Sequence, residues 1–138
     1  MPKNEVYVDT VALLALTDRA DQYHRRARKV LDMLTREKRA LVTLDAVFGE
    51  AVTFIRRRMG RDVAIQFGEK LRNGSLRIAY LDPVTDEEAW KLFRAWQEPG
   101  ISYVDCTSFA YMEAQKLREV FTFDNDFRKM DFEVLDGR

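Results

Sequence analysis

The sequence predicts an α/β fold in which helices cover both faces of a mainly parallel sheet. Short β-branched, apolar runs alternate along the chain with longer segments that have helical spacing, and this alternation is typical of parallel sheets. The 138 residues are enough for one compact domain and too few for two ordinary ones. Apolar residues make up 46% of the chain and charged residues 33%, which allows a buried core and argues against disorder.

The first half of the chain is predicted to contain two strands and four helices. The strands are residues 5–10 and 39–43, and the helices are residues 11–16, 20–38, 44–60 and 62–74. In the second of these helices, Ala27, Val30, Leu31 and Leu34 recur at helical spacing. Gly60 ends the third helix, since glycine is a common residue just past a helix C-terminus.

The second half is predicted to contain three strands and two helices. The strands are residues 75–81, 119–124 and 132–136, and one helix covers residues 101–118. The other helix begins at Thr85, because Thr85 and Glu88 have the spacing of a capping box. Ser102 and Asp105 have the same spacing at the start of the helix over residues 101–118.

Charge and cysteine content exclude several classes of protein. Lys+Arg and Asp+Glu number 23 each, so any site for a polyanion must come from local clustering of basic residues. The single cysteine, Cys106, excludes an internal disulfide and a cysteine-based zinc site, and it fits a reducing cytosol. The N-terminal stretch MPKNEVYVDT lacks the apolar core of a signal peptide, and no apolar run reaches the roughly 18–20 residues that span a bilayer. We therefore expect a cytoplasmic protein that has no membrane segment.

Acidic residues stand at the edges of the segments that the fold must bury. Asp9 and Asp124 each end a predicted strand, and Asp105 begins a helix. Glu50 lies four residues before Phe54, which places it on the predicted apolar face of its helix. Because ligands in parallel α/β folds bind at the carboxyl ends of the strands, we expect these acids to converge there.

Each acid also has a local structural explanation. Asp9 can cap the helix that follows it, and Asp105 can close a capping box. Asp124 and its two polar neighbours can form a turn, since Asp and Asn favour turns. Glu50 can lie at the edge of its apolar stripe and reach solvent. Taken singly, these residues leave both explanations open.

Convergence of the four carboxylates would require a cation. Like charges about 4 Å apart cost roughly 4 kcal/mol per pair near a protein surface. Oxygen ligands select hard divalent ions, here Mg²⁺ or Mn²⁺. The chemistry that uses such a site is hydrolysis of phosphodiesters by a metal-activated water, which needs no nucleophilic side chain. The single histidine, His24, lies in a charged helix where we expect a solvated role, which argues against a Ser-His-Asp mechanism.

Four segments, in order, resemble the motifs of the PIN-domain ribonucleases, and among these of the VapC toxins of toxin–antitoxin pairs. The segments are VYVDTVALLAL with Asp9 and Thr10, TLDAVFGEAVTFI with Glu50, SYVDCTSFAYMEA with Asp105, and VFTFDNDF with Thr122, Asp124 and Asp126. The resemblance implies one PIN domain over residues 1–138, with three α/β/α layers around a parallel sheet of four or five strands. It also implies a metal-dependent endoribonuclease, a homodimer and a cognate antitoxin that blocks the site.

The resemblance also implies roles for individual residues. Asp9, Glu50, Asp105 and Asp124 would be the catalytic acids that hold Mg²⁺ or Mn²⁺. Asp126 would be a further ligand, or would hold a water or cap the next turn. Thr10 and Thr122 would support the carboxylates by hydrogen bonds.

Two basic runs are candidates for binding RNA phosphates. They contain Arg56, Arg57, Arg58 and Arg61 in the first run, and Arg25, Arg26, Arg28 and Lys29 in the second. The alternative is that both runs are solvated helix faces that make ion pairs.

Three other functions remain open. One is a housekeeping PIN nuclease that acts in RNA maturation without an antitoxin, and another is a catalytically inactive PIN-like module that binds RNA or protein. A phosphoacceptor receiver domain ranks below these, because that fold needs a pair of acids after the first strand and only Asp9 is present.

Overall fold

The computed structural model describes residues 4–138, so the first three residues of the N-terminal stretch discussed above lie outside the described part. The strands are β1 Glu5–Val8, β2 Ala40–Leu44, β3 Arg77–Ala79, β4 Glu119–Phe121 and β5 Glu133–Leu135. The helices are α1 Thr10–Thr17, α2 His24–Arg36, α3 Asp45–Met59, α4 Arg61–Arg72, α5 Pro83–Ala95, α6 Tyr103–Gln115 and α7 Asp126–Lys129.

The five strands form one sheet in the order β3-β2-β1-β4-β5, and every pairing is parallel. In the central strand, Tyr7 lies opposite Val42 of β2 and Val120 of β4. Because crossovers between parallel strands are right-handed, this strand order implies that α1 to α4 cover one face of the sheet and α5 and α6 the other. This arrangement confirms the predicted α/β/α layers and the parallel sheet of four or five strands.

The order of the strands creates a switch point between β1 and β4. The chain moves outward from β1 to β2 and β3, and then returns across the sheet to β4 on the other side of β1. The connections after β1 and β4 therefore diverge to opposite faces, which leaves a crevice at the carboxyl ends of these two strands.

The core lies on both faces of the central strands. Val6 and Val8 face one side and Tyr7 faces the other, and all three are at most 2% exposed. The hydroxyl of Tyr7 forms a 2.7 Å hydrogen bond with the hydroxyl of Ser108 in α6, which satisfies both buried polar groups.

The predicted start of the first helix of the second half differs from the structure. Helix α5 begins at Pro83, and its N-cap is Asp82, whose side chain accepts a 2.7 Å hydrogen bond from the Thr85 N–H. The predicted capping box of Thr85 and Glu88 is therefore wrong, and Thr85 is a buried residue inside the helix. The capping box of Ser102 and Asp105 is confirmed. The one-turn helix α7 was not predicted. No helix within residues 4–138 has the length and apolar character needed to cross a membrane.

Candidate metal centre

The predicted acids come together in the crevice between β1 and β4. Asp9 directly follows β1, Asp124 follows β4, Asp105 lies in the first turn of α6 and Asp126 opens α7. Asp105, Asp124 and Asp126 each offer one carboxylate oxygen, and these three atoms lie within 4.8 Å of one another. The charges of Asp105 and Asp124 also act on Asp9, and the charge of Glu50 acts on Asp105.

Asp9 is held from the two strands that border the crevice. Its Oδ2 accepts a 2.8 Å hydrogen bond from the Thr122 hydroxyl, and its N–H donates to the Phe121 carbonyl at 3.1 Å. Asp9 occupies the N-cap position of α1, but its side chain makes no capping hydrogen bond. The capping explanation therefore does not account for this buried carboxylate.

The pKa of Asp9 is raised to about 7. The largest cause is burial, which disfavours the charged form, and the negative charges of Asp105 and Asp124 act in the same direction. The hydrogen bond from the Thr122 hydroxyl and the nearby Thr10 N–H oppose the shift. In the metal-free protein, the ionised form of Asp9 is therefore costly near neutral pH, and a bound cation would stabilise it.

Asp105 caps helix α6 and also interacts with the charges of the other acids. Its Oδ2 accepts a 3.1 Å hydrogen bond from the Ser102 N–H, and the Ser102 hydroxyl accepts one from the Asp105 N–H at 3.0 Å. Burial raises the pKa of Asp105, and the charges of Asp124 and Glu50 raise it further. The cap fixes the carboxylate without supplying a positive charge, so capping and metal binding are compatible roles.

Thr122 connects Asp9 with the loop that carries Asp124. Its hydroxyl donates to Asp9 and accepts a 3.1 Å hydrogen bond from the Asp124 N–H. The side chain of Asp124 accepts a 2.9 Å hydrogen bond from the Asp126 N–H, which is the turn interaction expected for an Asp. Burial raises the pKa of Asp124, and the charge of Asp126 also raises it.

Lys129 is the basic group of this region, and the sequence did not reveal it. Its Nζ lies 3.1 Å from an oxygen of Asp126 and 2.8 Å from one of Glu98. Lys129 lies three residues after Asp126, which is the spacing of an ion pair on a helix. That spacing predicts a contact only if the segment is known to be helical, and α7 was not predicted.

Glu50 is exposed, so the prediction that it shares the buried face of its helix is wrong. Helix α3 buries Val47, Ala51 and Ile55, whereas Phe54 is 46% exposed. Because the charge of Glu50 nevertheless raises the pKa of Asp105, we place Glu50 at the solvent-facing rim of the cluster.

The acids of the cluster are largely uncompensated by protein charges. Among residues 4–138, no ion pair includes Asp9, Glu50, Asp105 or Asp124, and Asp126 is paired with Lys129. A set of carboxylate oxygens with little neutralising charge fits a hard divalent cation such as Mg²⁺ or Mn²⁺.

The buried hydroxyl of Thr10 adds a polar atom to this region. Within the described part of the chain it has no hydrogen-bond partner, although Thr10 directly follows Asp9. Buried hydroxyls are normally satisfied, so this atom fits a role toward water or another group bound in the crevice.

The residues of the two basic runs have different surroundings. Arg58 pairs with Asp18 at 3.2 Å and Arg61 with Asp62 at 3.3 Å, as expected for solvated helix faces. Arg26 is half-buried and contacts the C-terminal segment. The remaining residues of the two runs are exposed and form no ion pair within residues 4–138: Arg25, Arg28, Lys29, Arg56 and Arg57.

His24 is not a freely solvated side chain, so that expectation is wrong. It is half-buried, and its Nδ1 lies 2.7 Å from the Ala15 carbonyl oxygen. The ring joins the start of α2 to α1, which is a structural role.

Comparisons with known proteins agree with this geometry. The family model described as PIN domain matches residues 6–133. The 23S rRNA-specific endonuclease VapC20 of Mycobacterium tuberculosis is 28% identical over 127 residues, which cover 92% of this chain and 95% of the relative.

Two solved structures are also similar. The crystal structure of Mycobacterium tuberculosis VapC20, named as a sarcin-ricin loop cleaving toxin, superposes with a TM-score of 0.82 at 28% identity and covers 92% of this chain and 95% of that one. A chain of FitAcB from Neisseria gonorrhoeae superposes with a TM-score of 0.69 at 17% identity, with coverage of 96% and 97%, and this similarity concerns the fold alone.

Proposed function

The chain belongs to the PIN domain family, and we propose that it is a divalent-metal-dependent endoribonuclease that acts as the toxin of a VapBC-type pair. In this proposal, residues 1–138 work as a single PIN domain in the cytoplasm. The observation that carries it is the meeting of Asp9, Asp105, Asp124 and Asp126 at the β1–β4 switch point without enough basic residues to neutralise them.

Each acid has a distinct task in this proposal. Asp105, Asp124 and Asp126 would hold Mg²⁺ or Mn²⁺, and Glu50 would complete the set from the rim. Asp9, fixed by the Thr122 hydroxyl, adds a buried negative charge that favours cation binding. A bound metal of this kind lowers the pKa of water and offsets the charge that develops on a phosphate during hydrolysis.

The proposed substrate is structured RNA, with ribosomal RNA as the first to test. The similarity to an endonuclease named as 23S rRNA-specific supports this choice. Exposed Arg25, Arg56 and Arg57 have no protein partner charge within residues 4–138 and are available for phosphates. The matched family and this charge distribution support RNA as the substrate.

The proposed partners are a second copy of the chain and a cognate antitoxin. A cleft of about 310 Å³ lies between α1, the loop after it and α3. Its apolar lining includes Leu14, Phe54, Ile55 and Met59, with Arg58 beside them. The resemblance to VapC toxins implies a cognate antitoxin, and because this cleft combines an apolar lining with an arginine, we assign the antitoxin to it.

The test is cleavage of total RNA and of a synthetic sarcin-ricin loop by purified protein, with Mg²⁺ or Mn²⁺ and then with EDTA. We expect metal-dependent cuts at defined positions and their loss in Asp105→Asn. The matched control is Asp62→Asn, an acid-to-amide change at a side chain that is 90% exposed on α4. Cleavage by Asp105→Asn at the rate of the unmodified protein would refute the proposed roles.

The outcomes also separate the alternatives. Cleavage without growth arrest on expression would favour a nuclease of RNA maturation. Folded protein that binds RNA but neither binds divalent metal nor cleaves would favour an inactive binding module.

A further inference from the structure

A second carboxylate centre lies next to the loop that carries Asp124 and Asp126. Asp136 follows β5 and is only 6% exposed. Its Oδ2 lies 3.1 Å from an Arg128 nitrogen, 3.2 Å from one of Arg138 and 3.4 Å from one of Arg26. The Arg26 Nε also donates a 2.9 Å hydrogen bond to the Asp136 carbonyl.

The first arm of this network reaches the middle of the loop. The guanidinium of Arg128 contacts Asp136 with one nitrogen and donates a 2.7 Å hydrogen bond to the Asn125 side-chain oxygen with another. Asn125 is the residue between Asp124 and Asp126. The carboxylate of Asp136 thus orients an arginine that holds the loop between its two acids.

The second arm reaches the residue before Asp124. The rings of Phe123 and Tyr23 stack with centroids 4.5 Å apart and planes 2° apart. The guanidinium carbon of Arg26 lies 5.3 Å from both centroids, at the side of this stack. Asp136 holds Arg26 chiefly through its backbone carbonyl, and its carboxylate adds only the 3.4 Å ion pair, so the carboxylate is the smaller part of the restraint on Phe123.

The backbone around Asp136 is packed closely against α2. Gly137 has a φ of +76°, and a Cβ at this position would lie 2.9 Å from the Arg26 carbonyl oxygen. Only glycine combines this conformation with this approach. The C-terminal segment is therefore seated directly on the helix that supplies Arg26.

We propose that Asp136 is a positioning residue for the metal centre, which holds the loop of residues 123–126 through Arg26 and Arg128. Restraint from both sides keeps Asp124 and Asp126 near Asp105 although their like charges favour separation. The link to metal binding rests on the proposed function, whereas the restraint of the loop does not.

The test compares Asp136→Asn with a matched control. Glu5→Gln removes the charge from a carboxylate that holds Arg77 at 2.8–3.0 Å, but at the amino end of β1, opposite the acid cluster. Three quantities are measured for each variant: backbone ¹⁵N order parameters of residues 123–126 without metal, the Mn²⁺ dissociation constant by calorimetry, and the urea midpoint.

For Asp136→Asn we expect the loop order parameters to fall from about 0.85 toward about 0.6, the range of flexible backbone. We expect its Mn²⁺ dissociation constant to rise by about fivefold or more, which corresponds to about 1 kcal/mol. Glu5→Gln should leave the loop order parameters at about 0.85 and change the Mn²⁺ dissociation constant less than about twofold, even where its urea midpoint falls as much.

A milder variant protects the test against misfolding. Arg128→Gln alters a side chain that is 43% exposed and breaks only the arm to Asn125. It should shift both readouts in the same direction, and Asn125→Ala should add little to it because both changes remove the same contact.

The outcomes separate the two proposals. If the unmodified protein binds Mn²⁺ and neither Asp136→Asn nor Arg128→Gln weakens binding or loosens the loop, the positioning role is refuted. If the unmodified protein binds no Mn²⁺, the proposed function fails, and the order parameters alone then decide whether Asp136 restrains the loop.

Discussion

Replacement of Asp9 by asparagine should stabilise the metal-free protein. Asp9 is 2% exposed and has no ion pair within residues 4–138. Asparagine keeps the shape of the side chain and an oxygen that can accept the hydrogen bond from Thr122. The substitution therefore removes the charge and leaves the main contact in place.

The magnitude follows from the pKa of Asp9. A rise from the ordinary value of 3.8 to about 7 means that the folded protein disfavours the ionised form. At about 1.4 kcal/mol per pKa unit, the cost at pH 8 is about 4 kcal/mol. Asparagine also buries a new hydrogen-bond donor, its amide NH₂, and this burial offsets about 1–2 kcal/mol of the gain from removing the charge. The expected net gain in the free energy of unfolding is about 2–3 kcal/mol.

The assay is urea unfolding at pH 8, first with EDTA and then with Mn²⁺. In EDTA, Asp9→Asn should unfold at a higher urea concentration than the unmodified protein. With Mn²⁺ at about 100 times its dissociation constant, the unmodified protein should gain about 2.7 kcal/mol, and the variant should gain much less. Asp62→Asn, the exposed control, should stay within about 0.5 kcal/mol under both conditions.

Lower stability of Asp9→Asn in EDTA at pH 8 would refute the reasoning. It would show that the ionised carboxylate stabilises the fold by its local hydrogen bonds, and that no cation is needed to compensate it. Equal Mn²⁺ stabilisation of both proteins would separately exclude Asp9 from the metal centre.

Three further predictions use the same kinds of measurement. Because Asp9 has a raised pKa, the folded state binds more protons than the unfolded state between about pH 4 and pH 7. The stability of the unmodified protein in EDTA should therefore fall as pH rises through this window. The difference between the urea midpoints at pH 5 and pH 8 should be smaller for Asp9→Asn than for the unmodified protein. Ser102→Ala removes the hydroxyl that accepts from the Asp105 N–H and should cost about 1 kcal/mol of unfolding free energy, which urea unfolding would detect, whereas no loss would show that the cap is not formed. Arg57→Gln should weaken RNA binding for all sequences alike and lower the slope of log affinity against log salt by about 1, and an unchanged slope in filter binding would exclude a phosphate contact.

The fold was predictable because its signals are local. The alternation of apolar runs with helical spacing requires parallel strands and crossover helices, and the strand and helix sequence followed from it. The predicted start of α5 was wrong because the sequence contains two overlapping capping signals there. Asp82 followed by Pro83 begins the helix one turn earlier, and Thr85 is then needed in the core.

Glu50 shows where helical spacing stops being informative. Spacing fixes which residues share a face, but the direction of that face depends on the elements packed against the helix. Because α3 turns Val47, Ala51 and Ile55 toward the core, Glu50 lies outside the stripe and reaches the acid cluster from the solvent side.

The sequence by itself determined the fold class, the motif acids and the kind of cation that their oxygens would select. Only the tertiary structure decided that Thr122 joins Asp9 to the Asp124 loop across 113 residues, and that Asp136 contacts Arg26 across 110. These contacts arise from the order of parallel strands and the packing of separate elements. No local pattern encodes them, because residues so far apart in the chain meet only when the whole sheet has formed.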